Sequence, residues 1–323
     1  MLEFDQVTRC FGRRTAVDAV SFQATRGEIV GVIGPNGAGK TTLMRLAACY
    51  LQPTRGAIRL NGLDTFRESL AVRRAVGYLP ERCPLYDDMT IREYLQFRAR
   101  LKGLPFRKAR LRVRDLATQV GLGEDGGRLI GGLSLGSRRR LGVADAMLHD
   151  PKLLLLDDPL AHVDSVETAR LVACIGGSAR HAIVLISGHT LALFAGLCTR
   201  FLVLRAGRVA MDATRQALLA RHNGATLAME VAGTGDAALK RVAARFPGGE
   251  SATVELQADG WWRVVWPVDP CSDLRDAVAA EVARQGWRLR AVNVTLPPLE
   301  GVLADCVAGR VPEMAARLAG GQA

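Results

Sequence analysis

The residues best suited to chemistry form one short run, Gly34-Pro35-Asn36-Gly37-Ala38-Gly39-Lys40-Thr41-Thr42. It satisfies G-x-x-x-x-G-K-[ST] at every fixed position, the pattern of a loop that cradles phosphates. Glycines let the backbone wrap until its N–H groups face anionic oxygens. A helix N-terminus behind the loop adds a favourable field. Lys40 supplies a point charge for the β- and γ-phosphates of a nucleotide such as ATP, and the Thr41 hydroxyl is placed to ligate Mg²⁺. A chance glycine-rich turn would lack the flanks this motif needs. Here Glu28–Ile33 reads as a buried strand and Thr42–Ala47 as the opening of a helix.

Other segments must position that loop. Residues Leu2–Ala24 alternate in short runs and read as two or three antiparallel strands, broken at Gly12-Arg13-Arg14. Phe11 sits in the break, where it either stacks on adenine or fills a minor core position. A strand is expected at Ala57–Leu60, with Asn61-Gly62 as a hairpin signal. Val76–Leu79 is a short strand ending in Pro80-Glu81-Arg82-Cys83-Pro84, where both prolines oppose helix. Thr90-Ile91-Arg92-Glu93 is a capping box for a helix to about Leu101. Ala109, Val113, Leu116 and Val120 mark the next helix, stopped at Gly121. Gly131–Ser137 reads as a flexible loop before a helix over Arg138–Leu148. Leu153–Leu156 is a strand buried on both faces and ends in Asp157-Asp158-Pro159. Ile183–Ile186 is similar and ends in Ser187-Gly188-His189. Phe201–Leu204 and Arg208–Met211 close the sheet as a hairpin.

The pattern changes near His222-Asn223-Gly224. Beyond it a strand (Leu227–Val231), a helix (Ala237–Phe246), two strands (Thr253–Leu256, Trp262–Trp266), a helix (Cys271–Arg284) and a strand (Trp287–Val294) follow, with a short helix from Pro297. Asp269 and Pro270 suit the N-cap and first turn of the second long helix. The order suggests a small split βαβ sandwich, and Ala316–Ala323 a frayed tail.

Composition narrows the class. The length of 323 residues suits one large domain and a small one. No apolar run approaches the ~20 residues of a membrane span, and the N-terminus lacks signal-peptide architecture. A cytoplasmic location follows, with membrane contact only through a partner. The seven cysteines are dispersed, with no C-x-x-C pair, which argues for reduced and mostly buried thiols. The net charge of +11 favours anionic partners. Much of the excess lies on one helix at Arg107–Arg114 and in the run Arg138-Arg139-Arg140, whose plain reading is a solvated helix face.

Taken in order, these motifs make Leu2 to about His222 resemble the ATP-binding subunit of an ABC transporter. The resemblance implies an α/β P-loop NTPase, with an antiparallel β subdomain and a helical subdomain (about 88–148) in an ATP-binding domain at 1–222. A small α+β accessory domain (225–310) and a tail (311–323) complete it. Phe11 resembles the adenine-stacking aromatic, Glu81 stands at the Q-loop position, and Leu133-Ser134-Leu135-Gly136-Ser137 at the signature LSGGQ. Leu153–Asp157 resembles Walker B, Asp164 the D-loop aspartate and His189 the switch histidine. The segments Tyr78–Glu81, Pro84–Tyr86 and Met89–Leu95, with Gly286–Leu289 and Leu299–Leu303, are similar to bacterial exporter subunits of the gliding-motility and copper-processing kind. The family implies two such subunits, a homo- or heterodimer, sandwiching two ATP molecules on the inner face of the membrane beside a separate permease. Ser134 and Gly136 would reach the γ-phosphate bound by the opposite subunit. Asp157 would hold Mg²⁺ through its coordinated water, Glu81 would ligate it, and His189 would contact the γ-phosphate.

One departure bears on catalysis. Asp158 stands where the family has a glutamate that polarises water, and its carboxylate is shorter by one C–C bond, about 1.5 Å. Misplacement on that scale can cost about a hundredfold in rate. Three functions stay open on sequence: an export motor, a nucleotide-dependent regulatory subunit with slow turnover, and a nucleic-acid-associated ATPase. The last lacks the insertions and duplicated ATPase units of its relatives.

Overall fold

The computed structural model describes residues 1–188, 191–221, 225–269, 273–295 and 298–309. It divides into two compact units, Met1–Ala213 with the chain from Cys306, and Thr214–Asp305.

In the first unit the elements run β1 (Leu2–Phe11), β2 (Arg14–Ala24), β3 (Ile29–Ile33), α1 (Lys40–Ala47), β4 (Arg55–Leu60), β5 (Leu63–Asp64), α2 (Ser69–Ala75) and β6 (Val76–Leu79). The helices α3 (Ile91–Leu101), α4 (Phe106–Gln119) and α5 (Leu135–Met147) follow. Then come β7 (Leu153–Asp157), α6 (Ser165–Ala179), β8 (Ile183–Ser187), α7 (Leu191–Phe194), β9 (Arg200–Arg205) and β10 (Arg208–Thr214). Two sheets result. One has the order β2-β1-β4-β5, and the other β10-β9-β3-β8-β7-β6. Strands β9, β3, β8, β7 and β6 pair in parallel. Every residue of β3, β7 and β8 is buried, so unbroken apolar runs suit them where alternation suits β1 and β2. The first helix packs on β2, β7 and β8, with Leu43, Met44 and Leu46 in the core that both sheets share. That packing is what holds the phosphate loop still.

Helices α3, α4 and α5 pack on one another. Thr90 caps α3 with the full capping box, its hydroxyl and the Glu93 carboxylate satisfying each other's backbone N–H. Two expectations fail here. The segment 131–137 is not one flexible loop: Ile130–Gly132 is a 3₁₀ turn, and α5 starts at Leu135 with Ser134 as its N-cap. The two glycines and the serines read as loop, but Ser134 accepts from the Ser137 N–H at 3.1 Å, which satisfies an orphan donor of the first turn. The cysteines are less buried than expected: of the six described, only Cys198 and Cys306 are fully buried.

The second unit holds α8 (Arg215–Arg221), β11 (Thr226–Ala232), α9 (Asp236–Ala243), β12 (Thr253–Leu256), β13 (Trp262–Pro267), α10 (Arg275–Arg284), β14 (Arg288–Thr295) and most of α11 (Leu299–Ala308). Its sheet has the order β12-β13-β11-β14, all antiparallel, the split βαβ arrangement. Leu227, Met229 and Val231 meet Val264, Trp266, Val278 and Val282 in one core. The start of α10 differs from expectation. Leu274 holds the N-cap position, and Asp273 accepts a first-turn N–H, that of Arg275 at 3.2 Å. A carboxylate one residue before the N-cap closes that local turn. Pro270 lies outside the described residues, as do 222–224 and the expected tail.

Candidate nucleotide site

Five chain segments converge on one cavity of about 490 Å³. Its floor is the loop from Asn36 to Thr42, between the end of β3 and α1. Gly39 has φ 105°, and a Cβ there would meet the Ala16 carbonyl oxygen at 2.5 Å, so only glycine fits this turn. Lys40 is 8% exposed. Its ammonium donates to the carbonyls of Gly34 at 2.8 Å and Pro35 at 3.0 Å, which folds the loop over it. Burial pulls the Lys40 pKa down, while Asp157, Asp158 and Glu81 push it back up. These carboxylates favour the charged form that a phosphate needs.

The opposite wall comes from the end of β7. Asp157 is 4% exposed and pairs in register with Ser187 of β8. The Ser187 hydroxyl donates to Asp157 Oδ1 at 2.5 Å, and Asp157 Oδ2 is buried with no hydrogen-bond partner among the described residues. An orphaned carboxylate oxygen is costly in a folded interior, and here it borders the cavity that Lys40 and Thr41 also line. Such a donor set fits Mg²⁺, which takes one or two carboxylates and completes its shell with water and substrate phosphate. Among the described residues no cluster of three or more His, Cys, Asp or Glu offers an all-protein cage. Asp158 has φ 56°, the left-handed region that few non-glycine residues adopt. Its N–H donates to the Ser187 carbonyl at 2.8 Å, and it too lines the cavity.

The remaining expected residues are placed as follows. Phe11, 46% exposed at the end of β1, lines the cavity, with the Arg9 guanidinium 4.7 Å from its ring centre. Glu81 lines it from the segment after β6. Gly34 and Pro35 act through their carbonyls on Lys40 and are not part of the lining. Ser134 and Gly136 sit at the start of α5, and neither lines the cavity. Gly136 lies against the loop after β7, where a Cβ would meet the His162 carbonyl oxygen at 2.5 Å. His189 lies outside the described residues.

The structure adds three residues that motif reading passed over. Arg14 lines the cavity from the start of β2, and Ser187 orients Asp157. The third is Arg139. The run Arg138-Arg139-Arg140 is not a solvated face: Arg138 pairs with Asp87 at 2.8 Å, and Arg140 reaches Glu167 at 3.1 Å and the Gly121 carbonyl at 2.7 Å. Arg139 is buried, with carbonyl partners only. No local signal separates these arginines from surface ones; their partners lie far away in sequence.

Known proteins share this arrangement. The family model described as ABC transporter matches residues 17–161. An uncharacterized ABC transporter ATP-binding protein, YxlF of Bacillus subtilis, is 36% identical over 68% of this chain and 72% of its own length. The chain belongs to the ABC transporter ATP-binding proteins. The daunorubicin resistance ATP-binding protein DrrA3 of Streptomyces coeruleorubidus is 34% identical over 68% of this chain and 70% of its own. Among solved structures, an ATP-binding subunit of an ABC transporter superposes with TM-score 0.64 at 28% identity, covering 68% of this chain and 91% of that one. The dimeric ABC transporter cassette MJ0796 shares the fold, with TM-score 0.62 at 21% identity over 66% of this chain and 98% of its own. The protein is therefore an ABC ATPase. No helix among the described residues is long and apolar enough to cross a membrane.

Proposed function

We propose that this ABC ATPase couples ATP binding and hydrolysis to export through a separate membrane permease, working as a homo- or heterodimer on the inner face of the cell membrane. One observation carries the reading: a single cavity sets the Lys40 ammonium among Asp157, Asp158 and Glu81 on a phosphate loop. Export is favoured over import because a relative named as a Nod factor export ATP-binding protein matches 74% of this chain, while one named as a spermidine/putrescine import protein matches 51%. The accessory split βαβ sheet beyond the core supports placement with the gliding-motility and copper-processing exporters; its first strand starts at Thr226, and the compact unit that holds it starts earlier, at Thr214.

In this reading Phe11 stacks on adenine and Lys40 neutralises the β- and γ-phosphates. Mg²⁺, held by Thr41, Asp157 and Glu81, supplies charge neutralisation of the triphosphate when bound. Asp158 hydrogen-bonds the attacking water and accepts its proton. Water adds to the γ-phosphorus, the bond to the bridging oxygen breaks, and ADP leaves with the electron pair. His189 contacts the γ-phosphate. Ser134 and Gly136, away from their own chain's cavity, suit the nucleotide of a second copy, where the N-terminus of α5 favours an anion.

A nucleic-acid role finds no support in the second unit. The sheet face turned away from α9 and α10 presents Ala228, Glu230, Arg263, Val265 and Ala291, with Arg290 bonded to Glu230, not the aromatic platforms that stack bases. Trp266 is buried in the core, and the Trp261 ring is already covered by the Arg290 guanidinium at 4.8 Å.

The test is copurification of the chain with the permease encoded beside it, followed by ATPase and export measurements in vesicles. Export that proceeds unchanged with an Asp157→Asn chain would refute the coupling.

A further inference from the structure

Arg139 is 6% exposed, yet no carboxylate faces its guanidinium among its hydrogen bonds. Its Nε donates to the Asp158 carbonyl at 2.8 Å and its Nη2 to the Asp157 carbonyl at 3.0 Å. Its Nη1 donates to the carbonyls of Pro80 at 2.9 Å and Glu81 at 2.8 Å. A buried cation must be fully hydrogen-bonded to be tolerated, and here the acceptors are the backbones of the three acidic residues that line the cavity and of Pro80 beside Glu81. A guanidinium offers five N–H groups in a rigid plane, so it can hold two chain segments at a set separation.

Those two segments carry the chemistry. The turn after β7 holds Asp157 and Asp158, the latter in left-handed backbone. The segment after β6 holds Glu81. Arg139 itself belongs to α5, about one turn beyond Ser134 and Gly136. One side chain therefore ties the helix that starts at the signature residues to both acidic segments of the site.

We propose that Arg139 is a positioning residue for ATP hydrolysis, setting the backbones of Glu81, Asp157 and Asp158 and making their placement depend on the seating of α5. The inference rests on the reading of those three residues as the metal-holding and water-polarising groups. None of Arg139's hydrogen bonds goes to the phosphate loop, so nucleotide affinity and turnover should part company when it is changed.

The experiment uses full-length Arg139→Gln, Arg139→Lys and Arg139→Ala, each with a melting curve. Affinity for a fluorescent ATP analogue is measured without Mg²⁺, and kcat, KM and the Mg²⁺ concentration for half-maximal rate are measured with the permease present. Expected is a fall in kcat of roughly tenfold to hundredfold, a rise in the Mg²⁺ requirement, and metal-free nucleotide affinity within about twofold of the native protein. Lysine, a point charge, behaves like glutamine. Millimolar guanidinium restores part of the Arg139→Ala rate, and sodium chloride at equal ionic strength does not. An unchanged kcat, affinity and kcat falling in proportion, full rescue by lysine, or failure of all three variants to fold would each overturn the proposal. Asp157→Asn in the same assay separates the two layers. If it hydrolyses ATP at the native rate, the assignment of the site has failed; if it is dead while the Arg139 variants are native, only the positioning role has.

Discussion

The two strand ends that wall the nucleotide cavity are built by opposite means. After β3, one unbroken run from Asn36 to Thr42 makes the floor, and Lys40 finds its partners within its own loop, at Gly34 and Pro35. After β7, the wall is assembled: Ser187 from β8 orients Asp157, and Arg139 from α5 holds the carbonyls of Asp157 and Asp158. The contiguous end can bind phosphate with the rest of the site perturbed. The assembled end works only while distant elements stay seated. Binding should therefore live on the first and turnover on the second.

The largest effect tests the contiguous end. Lys40→Ala should weaken ATP binding by about a hundredfold or more, the ~3 kcal/mol of a lost charge-assisted hydrogen bond. Titration of a fluorescent ATP analogue measures it. Unchanged affinity would mean that the floor does not bind phosphate and would break the comparison outright.

The assembled end is tested at Asp158. Asp158→Asn should abolish hydrolysis while ATP affinity changes little. Asp158→Glu extends the carboxylate by about 1.5 Å and should raise kcat by roughly 10–100-fold, ~1–3 kcal/mol in barrier. Steady-state ATPase rates of the three proteins with the permease present decide it. A slower glutamate variant would show that the left-handed turn at Asp158 already brings aspartate to the water.

How much of this was legible beforehand follows the same division. The phosphate loop, the buried runs of β7 and β8 and the capping box at Thr90 are local patterns, and each stands where its residues place it. The split βαβ order of the second unit could likewise be read from periodicity. Arg139 and Ser187 could not, because a charge run and a strand-end serine acquire meaning only from partners far along the chain. The start of α5 was misjudged for a related reason. Gly136 looks like a helix breaker, but the Ser134 cap and the close approach of the His162 carbonyl favour glycine inside the first turn. Helix α6 carries a weaker amphipathic signal than α3 and α4, and α2 is only seven residues long; neither left a sequence expectation.

If turnover depends on the seating of α5, loosening that helix away from the site should matter too. Asp145, 7% exposed on α5, meets Arg98 at 3.0 Å and Lys102 at 3.1 Å, and Tyr94 donates its hydroxyl to it at 3.3 Å. Burial pushes its carboxyl up, but Lys102 and Arg98 together hold it below the ordinary value. Asp145→Asn leaves two partly buried cations unpaired and should cost about 3 kcal/mol in stability by urea unfolding. It should lower kcat more than nucleotide affinity. A variant as stable as the native protein would show that α5 is seated by its apolar contacts alone.

The smallest effect is a pH dependence just beyond α5. His149 packs with Nε2 3.2 Å from the Val76 carbonyl oxygen, while Nδ1 is buried with no hydrogen-bond partner among the described residues. The neutral ring with the proton on Nε2 satisfies this geometry, and charging Nδ1 would place a cation in a dry site near Lys102. Burial, then the Lys102 charge, lowers its pKa to about 4 from 6.5. The unfolded chain therefore binds a proton between those values that the folded chain refuses. The stabilising contribution is present above pH ~6.5 and falls away as pH drops toward ~4, amounting to roughly 2–3 kcal/mol. Melting temperature against pH measures it. His149→Gln keeps a donor for Val76 and cannot charge, so its curve should be flatter across that window. Parallel curves for the two proteins would place the acid sensitivity elsewhere, with the carboxylates of the assembled site next in line.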